Sequence, residues 1–416
     1  MTANRGALTP RTELVASRAS LAPRVFQREF WESDTPAADL ARAVAFYVVT
    51  RLAFAVFVWL TGQHFDCGRA GCLNRGFFPN NFLLNGLFQW DAQQYRQVIE
   101  KGYYLGVGFD TTAPFFPMFP LLAWAVGKLI GSALWGGILL NNLCSIAAGF
   151  GITRLCRRLG VGEQGGPREA IARETTLFWM ASPLTWFFSV FQSEAVFGAL
   201  SVGVLWGVVA GLPWWTLVCG VLITATRNSG IVVVACAFLL AFERRRELRV
   251  TWFTWLGLAL APLGLAGFIL YQYVKLGDGF AWVATQIRWN RFLTTPWRTI
   301  SDEWVGWPPV SRHDVAPMYR TQELLALALM LPLFLLRRRL NIPWALLALG
   351  IVEWLLPLMS HQLFSAARYQ AGNIYFALAI PALLANRPLV RGLCWMFFGM
   401  VLAWYLSTYP HGVWST

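Results

Sequence analysis

Long apolar stretches without a charged residue recur along this chain, and they constrain its fold more than any other feature. Residues 196–212 and 251–273 contain no Asp, Glu, Lys or Arg. Runs of this length predict transmembrane helices, because a helix of about 20 apolar residues crosses the bilayer core. Hydrophobic residues make up 56% of the 416 residues and charged residues 13%. The sequence therefore predicts an all-α, polytopic membrane protein.

The hydropathy pattern predicts a bundle of about 11 transmembrane helices. We place them at 40–60, 133–155, 175–191, 195–211, 213–225, 231–242, 251–273, 322–336, 343–360, 364–385 and 390–406. The apolar block 115–130 is short and carries Pro117 and Pro120. A full crossing there would put the arginines of 154–173 outside, against the positive-inside rule. We therefore predict that 115–130 is an interfacial or re-entrant helix packed against the bundle.

The distribution of charge predicts the orientation. Residues 1–39 are polar and basic and have no apolar signal-peptide core, so we expect a cytosolic N-terminal tail ahead of a signal-anchor helix. Residues 40–416 then form one transmembrane domain with outer loops at about 61–132 and 274–321. The net charge of +13 comes from short basic clusters between the spans, and does not indicate nucleic-acid binding. Because arginine far outnumbers lysine, we expect a bacterial cytoplasmic membrane, or the endoplasmic reticulum membrane if the chain is eukaryotic.

This path brings polar residues from several loops to the outer membrane surface. They are Trp90, Asp91, Gln192, Ser193, Glu194, Arg227, Asn228, Arg288, Asn290, His361 and Arg368. Ionisable groups at membrane depth are costly and usually functional. We therefore expect a polar site on the outer face.

Asp91 is the first candidate in this site. Ala92, Tyr95 and Ile99 are spaced to form one apolar helix face, and Gly102 is a typical helix end. Asp91 is then the natural N-cap of a helix over 92–101. It could equally be a base beside the Trp90 ring, and a capping role would fix the position of its carboxylate.

Glu194, Arg227 and Arg368 have two interpretations each. Glu194 could complement a helix dipole, or act as a second carboxylate near Asp91. An arginine near membrane depth needs an anionic partner. Arg227 and Arg368 could pair with these carboxylates, or bind a lipid phosphate, which suits guanidinium geometry. Arg51, inside the first span, has no loop role and is interpreted as structural.

The second outer loop carries aromatic residues among arginines, in the run Gln286-Ile287-Arg288-Trp289-Asn290-Arg291 and at Trp297, Trp304 and Trp307. This pattern suits a sugar ligand or an ordinary interfacial loop. Cys67 and Cys72 in the first outer loop could form a disulfide or remain free. The sequence has no Cys/His metal spacing, no P-loop and no nucleotide-binding glycine motif, and His313-Asp314 is weak evidence for a metal. An enzyme of this kind would draw on a lipid-linked substrate.

Five short motifs together resemble one family. They are Trp90-Asp91, Gly102-Tyr103, Phe115-Phe116-Pro117 with Phe119-Pro120, Ser193-Glu194, and Ala225-Thr226-Arg227-Asn228-Ser229-Gly230. In order and spacing, over about residues 85–245, they resemble the PIG-V family, which includes GPI mannosyltransferase 2 and bacterial relatives within the GT-C class of glycosyltransferases. The C-terminal third departs from the family pattern of His-x-Gln followed by Arg, because His361 and Gln362 are adjacent here.

The resemblance implies a GT-C bundle with interfacial helices in the first outer loop. It also implies an inverting transfer of mannose from a polyprenyl-phosphate-mannose donor to a lipid- or glycan-linked acceptor at the outer face, with no cofactor. Asp91 would be the base or would orient the acceptor, and Glu194 would be a second acid near the sugar. Arg227 and Arg368 would hold the departing phosphate. The other candidate substrate-binding residues are Trp90, Tyr95, Gln192, Ser193, Asn228, Arg288, Trp289, Asn290 and His361.

Other functions remain open at this point. A transporter or flippase of a lipid-linked sugar would also need polar sites, but it predicts interrupted helices at the midplane and internal repeats, and the sequence indicates neither. A GT-C enzyme that transfers another sugar, or an inactive partner in a glycosylation complex, would carry the same motifs. The acceptor, the sugar, the oligomeric state, an accessory subunit and a metal are not fixed by the sequence.

Overall fold

The computed structural model describes residues 28–62, 78, 81–107, 110–162, 168–248, 250–305, 316–363 and 365–408. Every regular element in these ranges is helical. Cys67, Cys72, Trp307, His313 and Asp314 lie outside them, so the predictions for these residues stay predictions.

The α-helices are numbered here in chain order. They are α1 Arg28–Glu32, α2 Pro36–Gly62, α3 Phe82–Gly86, α4 Asp91–Lys101, α5 Met118–Ile130, α6 Ala133–Leu159, α7 Arg168–Ala181, α8 Glu194–Ala210, α9 Pro213–Thr224, α10 Gly230–Glu243, α11 Trp252–Leu260, α12 Leu263–Leu276, α13 Ala281–Arg288, α14 Pro296–Val305, α15 Ala316–Met330, α16 Trp344–Leu358, α17 Ala366–Tyr369, α18 Ile374–Leu384 and α19 Pro388–Thr408. Short 3-10 helices occupy Pro183–Phe188, Leu331–Leu336 and Gln370–Gly372.

The prediction of an integral membrane protein with an all-α fold is confirmed. Within the ranges given above, four helical segments are long and apolar enough to cross a membrane: Pro36–Thr61, Ala133–Leu159, Trp252–Leu276, which comprises α11 and α12 together, and Pro388–Ser407. Shorter apolar helices of 10–17 residues make up the rest of the bundle. The number of eleven crossings and the direction of the chain stay predictions.

Several predicted spans are interrupted, which corrects the expectation of continuous helices. The span at 175–191 ends as α7 at Ala181, and a 3-10 helix begins at Pro183. Pro262 separates α11 from α12, and Pro332 lies at the start of the 3-10 helix after α15. Proline lacks the N–H that an α-helix needs and clashes with the preceding turn. The span at 364–385 is also broken, into α17, a 3-10 turn and α18.

Helix α5 is short and packs closely on α6, as predicted for the block at 115–130. Its 13 residues span about 20 Å, less than the ~30 Å hydrocarbon core. A Cβ added at Gly136 of α6 would lie 2.5 Å from the Gly127 nitrogen and 2.6 Å from the Ala123 carbonyl oxygen. Only glycine fits at such a close approach between two helices. The membrane depth of α5 stays a prediction.

The largest hydrophobic core lies among α6, α7, α8, α10, α16 and α18. A second, aromatic cluster underlies α4, where Ala92 and Tyr95 pack with Phe115, Phe119 and Phe191. This cluster joins α4 and the start of α5 to the segment before α8. It therefore fixes the start of α4 beside the start of α8.

Candidate functional site

Asp91 is the first residue of α4, and this corrects its assignment as the N-cap. The N-cap is Trp90, which has a φ of 57° and makes no capping side-chain hydrogen bond. A positive φ is uncommon for a residue with a large side chain and strains the backbone. The Trp90 ring packs in a hydrophobic cluster with Phe187 and Trp186. The strained turn thus packs the partly buried indole against this cluster and sets Asp91 at the positive end of the helix dipole.

Glu194 begins α8 and is almost fully buried, with 2% of its side chain exposed. The preceding segment is bound to its surroundings by several hydrogen bonds. Phe191 N donates to Leu87 O at 2.7 Å, Gln192 Nε2 donates to Gln89 O at 3.3 Å, and Asn141 Nδ2 donates to Gln192 O at 2.8 Å. These bonds hold the start of α8 against the residues that precede Asp91.

Arg368 joins the two carboxylates. Its Nη2 donates to Asp91 Oδ2 at 2.7 Å and its Nε donates to Glu194 Oε1 at 2.6 Å. The Arg368 side chain is 7% exposed, whereas that of Asp91 is 37% exposed. Burial raises the pKa of Asp91, but Arg368, helped by Arg291 and Arg227, outweighs it, and the net shift is below the usual value. Asp91 is therefore an ionised carboxylate within reach of a ligand.

Arg227 completes this group of charges. It lies in the turn between α9 and α10, and its Nη2 is 3.2 Å from Glu194 Oε1. Its guanidinium carbon is 5.1 Å from the Tyr369 ring centroid and 5.7 Å from that of Phe197, both within cation–π range. Of the two interpretations of the arginines, the pairing of Arg227 and Arg368 with carboxylates is thus observed.

Tyr95, Gln192 and Ser193 lie next to the charged group and are buried. The Tyr95 hydroxyl donates to Ser193 Oγ at 2.9 Å, and two phenylalanine rings contact its ring edge-on. Burial raises the pKa of Tyr95 well above its usual value, so its hydroxyl stays protonated. These contacts support Glu194 and its helix, and substrate binding by the three residues stays a prediction.

The residues predicted in the later loops are dispersed. Asn228 and Arg288 are exposed, and Trp289 packs against Phe115 at a centroid distance of 6.2 Å. His361 stacks on Phe292 at 4.3 Å, and its Nδ1 and Nε2 lie 3.3 Å from Asn290 O and 3.0 Å from Asp302 Oδ2. His361 and Asn290 thus form a separate group with Phe292 and Asp302. No contact of His361 or Asn290 with Asp91 or Glu194 is observed.

Two further residues belong to the charged group, and the sequence analysis did not select them. Arg291 Nη1 donates to the Tyr369 hydroxyl at 3.1 Å. Arg291 ends the run of arginines and aromatics in the predicted second outer loop, and Tyr369 follows Arg368 directly. The sequence shows that Arg291 ends this run and that Tyr369 follows an arginine, but it does not show that the two side chains are in contact.

Glu353 of α16 is a third residue of the charged group that the sequence analysis did not select. It is buried, interacts electrostatically with Arg227, and its Oε2 accepts no hydrogen bond from the part of the chain described. In the same ranges, no group of three or more His, Cys, Asp or Glu side chains is arranged to hold a metal ion.

The motif resemblance to the PIG-V family is confirmed by comparison with known proteins. Over 174 residues the chain is 30% identical to GPI alpha-1,6-mannosyltransferase 2 of Cricetulus griseus and to that of Rattus norvegicus. Each match covers 39% of this chain and 33% of the relative, so the chain matches about a third of the length of these curated relatives. No protein-family model matches the chain.

Among solved structures, the chain is similar to the oligosaccharyltransferase of Archaeoglobus fulgidus. The apo form is 12% identical with a TM-score of 0.43, over 88% of this chain and 56% of that chain. The AglB complex with an inhibitory peptide and a dolichol-phosphate is 12% identical with a TM-score of 0.42, over 90% and 55% of the two chains. We infer neither fold nor function from a likeness at this level.

Proposed function

We propose that this chain is a membrane glycosyltransferase of the GT-C type. In this proposal it transfers mannose from a polyprenyl-phosphate-mannose donor to a lipid- or glycan-linked acceptor at the outer face of the membrane. The observation that carries the proposal is the bridge in which Arg368 holds the half-exposed Asp91 and the buried Glu194 together. The similarity to GPI alpha-1,6-mannosyltransferase 2 supports the choice of reaction.

In the proposed reaction, an acceptor hydroxyl attacks the anomeric carbon of mannose from the side opposite the phosphate. The new C–O bond forms as the bond from carbon to the phosphate oxygen breaks, and the phosphate leaves with the electron pair. The configuration at that carbon is inverted. Asp91 orients the hydroxyl and accepts its proton, because its side chain is 37% exposed and its carboxylate is ionised.

Glu194 has a different part in this proposal from the one implied by the resemblance. Because it is 2% exposed and bound by two arginines, it positions Arg368 and Arg227 and does not touch the substrate. Its Oε2 accepts no hydrogen bond in the part of the chain described. A buried carboxylate in this state is stabilised by the arginines, which it fixes in turn.

The direct test is transfer by the purified full chain in detergent. The donor is polyprenyl-phosphate-mannose radiolabelled in the sugar, offered with a panel of membrane lipid and glycan acceptors. Label that moves to an acceptor, with release of polyprenyl phosphate, supports the proposal. No transfer to any member of the panel, with the donor recovered intact, contradicts it.

The interrupted helices favour a transporter as the second candidate, since transporters build midplane sites from broken helices. The two functions differ in what happens to the donor. Reconstituted in liposomes, a transporter would move intact labelled donor between leaflets without releasing polyprenyl phosphate. A transferase would release polyprenyl phosphate only when an acceptor is present.

A further inference from the structure

The turn of helix that carries Arg368 is too short to fix its own position. Helix α17 has four residues, and a single helical turn is unstable without contacts from the rest of the chain. Arg368 nevertheless makes its hydrogen bonds to Asp91 and Glu194 from this turn. The segment after the turn is held by Gln370, whose Nε2 donates to Glu353 O at 3.1 Å. The start of the turn needs a separate support.

The start of α17 is not capped by its own N-cap residue. Ser365 has a φ of 65°, and its side chain makes no capping hydrogen bond. The first N–H groups of a helix have no acceptor within the helix, and a buried N–H without an acceptor is costly. Ala366 N donates to the Leu363 carbonyl oxygen at 3.0 Å. Ala367 is also buried, and its N–H takes its acceptor from another helix.

Glu323 of α15 supplies that acceptor. Its Oε2 accepts a hydrogen bond from the backbone nitrogen of Ala367, which directly precedes Arg368 in the chain. The Glu323 residue is 4% exposed, so water does not compete for this hydrogen bond. A hydrogen bond in such surroundings is stronger than one in water. Glu323 therefore fixes the backbone next to the residue that joins the two carboxylates of the candidate site.

Helix α15 is itself fixed against α16 and α17. Leu327, one turn after Glu323, packs with Leu363 and Ala366 in a small hydrophobic cluster. From α16, Trp354 Nε1 donates to the Leu327 carbonyl oxygen at 2.9 Å. Glu323 thus projects from a helix that has a defined position relative to α17.

We propose that Glu323 is a positioning residue for the transfer reaction. Its carboxyl oxygen holds the start of α17, and so places Arg368 against Asp91 and Glu194. Glu323 acts through Arg368, and not by contact with the substrate. The inference rests on the proposed function for its effect on the rate of transfer, whereas its effect on the contact between Arg368 and Asp91 does not depend on catalysis.

Two substitutions separate the acceptor oxygen from the bulk of the side chain. Glu323→Gln keeps a carbonyl oxygen at the same distance from the backbone. Glu323→Met keeps the length of the side chain and removes the acceptor. Leu325→Ala is the matched control, since Leu325 is an exposed residue of the same helix, with 55% of its surface accessible. All variants are made in the full chain and purified in detergent.

The first readout is the kcat of mannose transfer. Glu323→Met should lower kcat by roughly 10- to 100-fold, because a displacement of about 1 Å at a positioned group can cost that much. Glu323→Gln should retain most of the rate, and Leu325→Ala should turn over as the wild type does. Equal losses in Glu323→Gln and Glu323→Met, or no loss in Glu323→Met, would overturn the inference.

The second readout needs no turnover. Melting temperatures are measured at pH 7 for the wild type, Asp91→Asn, Glu323→Met and the double variant. Asp91→Asn removes the ionised partner of Arg368 and should lower the melting temperature of the wild type. It should lower that of Glu323→Met much less, because Arg368 is then already displaced from Asp91. An equal decrease in both backgrounds would show that Arg368 keeps its place without Glu323, and would overturn the inference.

Glu323→Asp replaces Glu323→Met in both readouts if the methionine variant does not fold. It keeps the carboxyl group but is one methylene too short to reach Ala367 N in the observed geometry, so the same losses are expected and wild-type behaviour would overturn the inference. Failure of the proposed function is distinguishable from failure of the inference. Failure of the function would abolish transfer by the wild type and leave the loss of the Asp91 effect in the melting temperatures unchanged.

Discussion

At the scale of single residues, Arg368 organises the candidate site. It is a buried cation between two carboxylates that lie 277 and 174 residues away from it in the sequence. The sequence could predict that these charged side chains form a site, because each of them lies next to an apolar run. The pairing could not be predicted, because nothing in the sequence relates the register of α4 to that of α17. The alternative of a phosphate contact for Arg368 was therefore open until the geometry was known.

Removing Arg368 should destabilise the protein. Arg368→Met leaves Glu194 buried without its closest cation, and breaking a buried ion pair in this way costs about 3 kcal/mol. Glu194→Gln added to Arg368→Met should recover part of that loss, because the uncompensated charge is gone. Thermal unfolding of the wild type, both single variants and the double variant gives the coupling. Strictly additive losses would show that the two side chains do not interact.

The pKa of Asp91 makes a second residue-scale prediction. A carboxyl whose pKa is lower in the folded than in the unfolded state stabilises the fold above its unfolded pKa. That stabilisation is lost as the pH falls through the folded value. Asp91→Asn should therefore lower the melting temperature at pH 7, and the difference from the wild type should shrink below about pH 4, near the ordinary value of 3.8.

Melting curves of both proteins between pH 3 and pH 7 check this. Glu100→Gln is the control, since Glu100 lies on the same helix and forms an exposed i,i+4 pair with Arg96. A gap between Asp91→Asn and the wild type that stays constant over this range would contradict the lowered pKa.

At the scale of elements, the sequence predicted the helices better than their interruptions. The apolar spacing of Ala92, Tyr95 and Ile99 and the glycine at 102 predicted α4 to within one residue. Uncharged runs, by contrast, do not reveal where a helix breaks inside them. Pro183 and Pro262 were visible in the sequence, but proline also occurs within membrane helices, as Pro357 and Pro381 do here. The positions of these breaks depend on how neighbouring helices pack, and a hydropathy profile contains no information on that packing.

The contact between α5 and α6 offers an element-scale prediction. Gly136→Ala should force the two helices apart, because the added Cβ would lie 2.5 Å from a backbone nitrogen. Overpacking of this kind costs typically 1–3 kcal/mol, so we expect a lower melting temperature. Gly399→Ala in α19 is the control, since no heavy atom lies within 4 Å of its added Cβ. Equal melting temperatures for the two variants would contradict the close contact.

At the scale of the whole molecule, the candidate site joins parts of the chain that differ in how well they could be predicted. Asp91, Glu194 and Arg227 lie on motifs that resemble the PIG-V family. Arg291, Arg368 and Tyr369 lie outside that stretch, and the comparison with curated relatives covers 39% of the chain. Because the candidate site contains residues from both parts of the chain, we infer that the two parts form one functional helix bundle. The face of the membrane on which it opens stays a prediction from the distribution of arginines.

The most direct test of the central claim is the rate of mannose transfer by Asp91→Asn beside the wild type and Glu100→Gln. Asparagine keeps the shape of the side chain but removes the charge and the ability to accept a proton. We predict a loss of roughly 10²–10⁴-fold in turnover for Asp91→Asn, as is typical for removal of a positioned base, with wild-type rates for Glu100→Gln. Turnover near the wild-type rate in a folded Asp91→Asn variant would contradict the proposed role of this carboxylate.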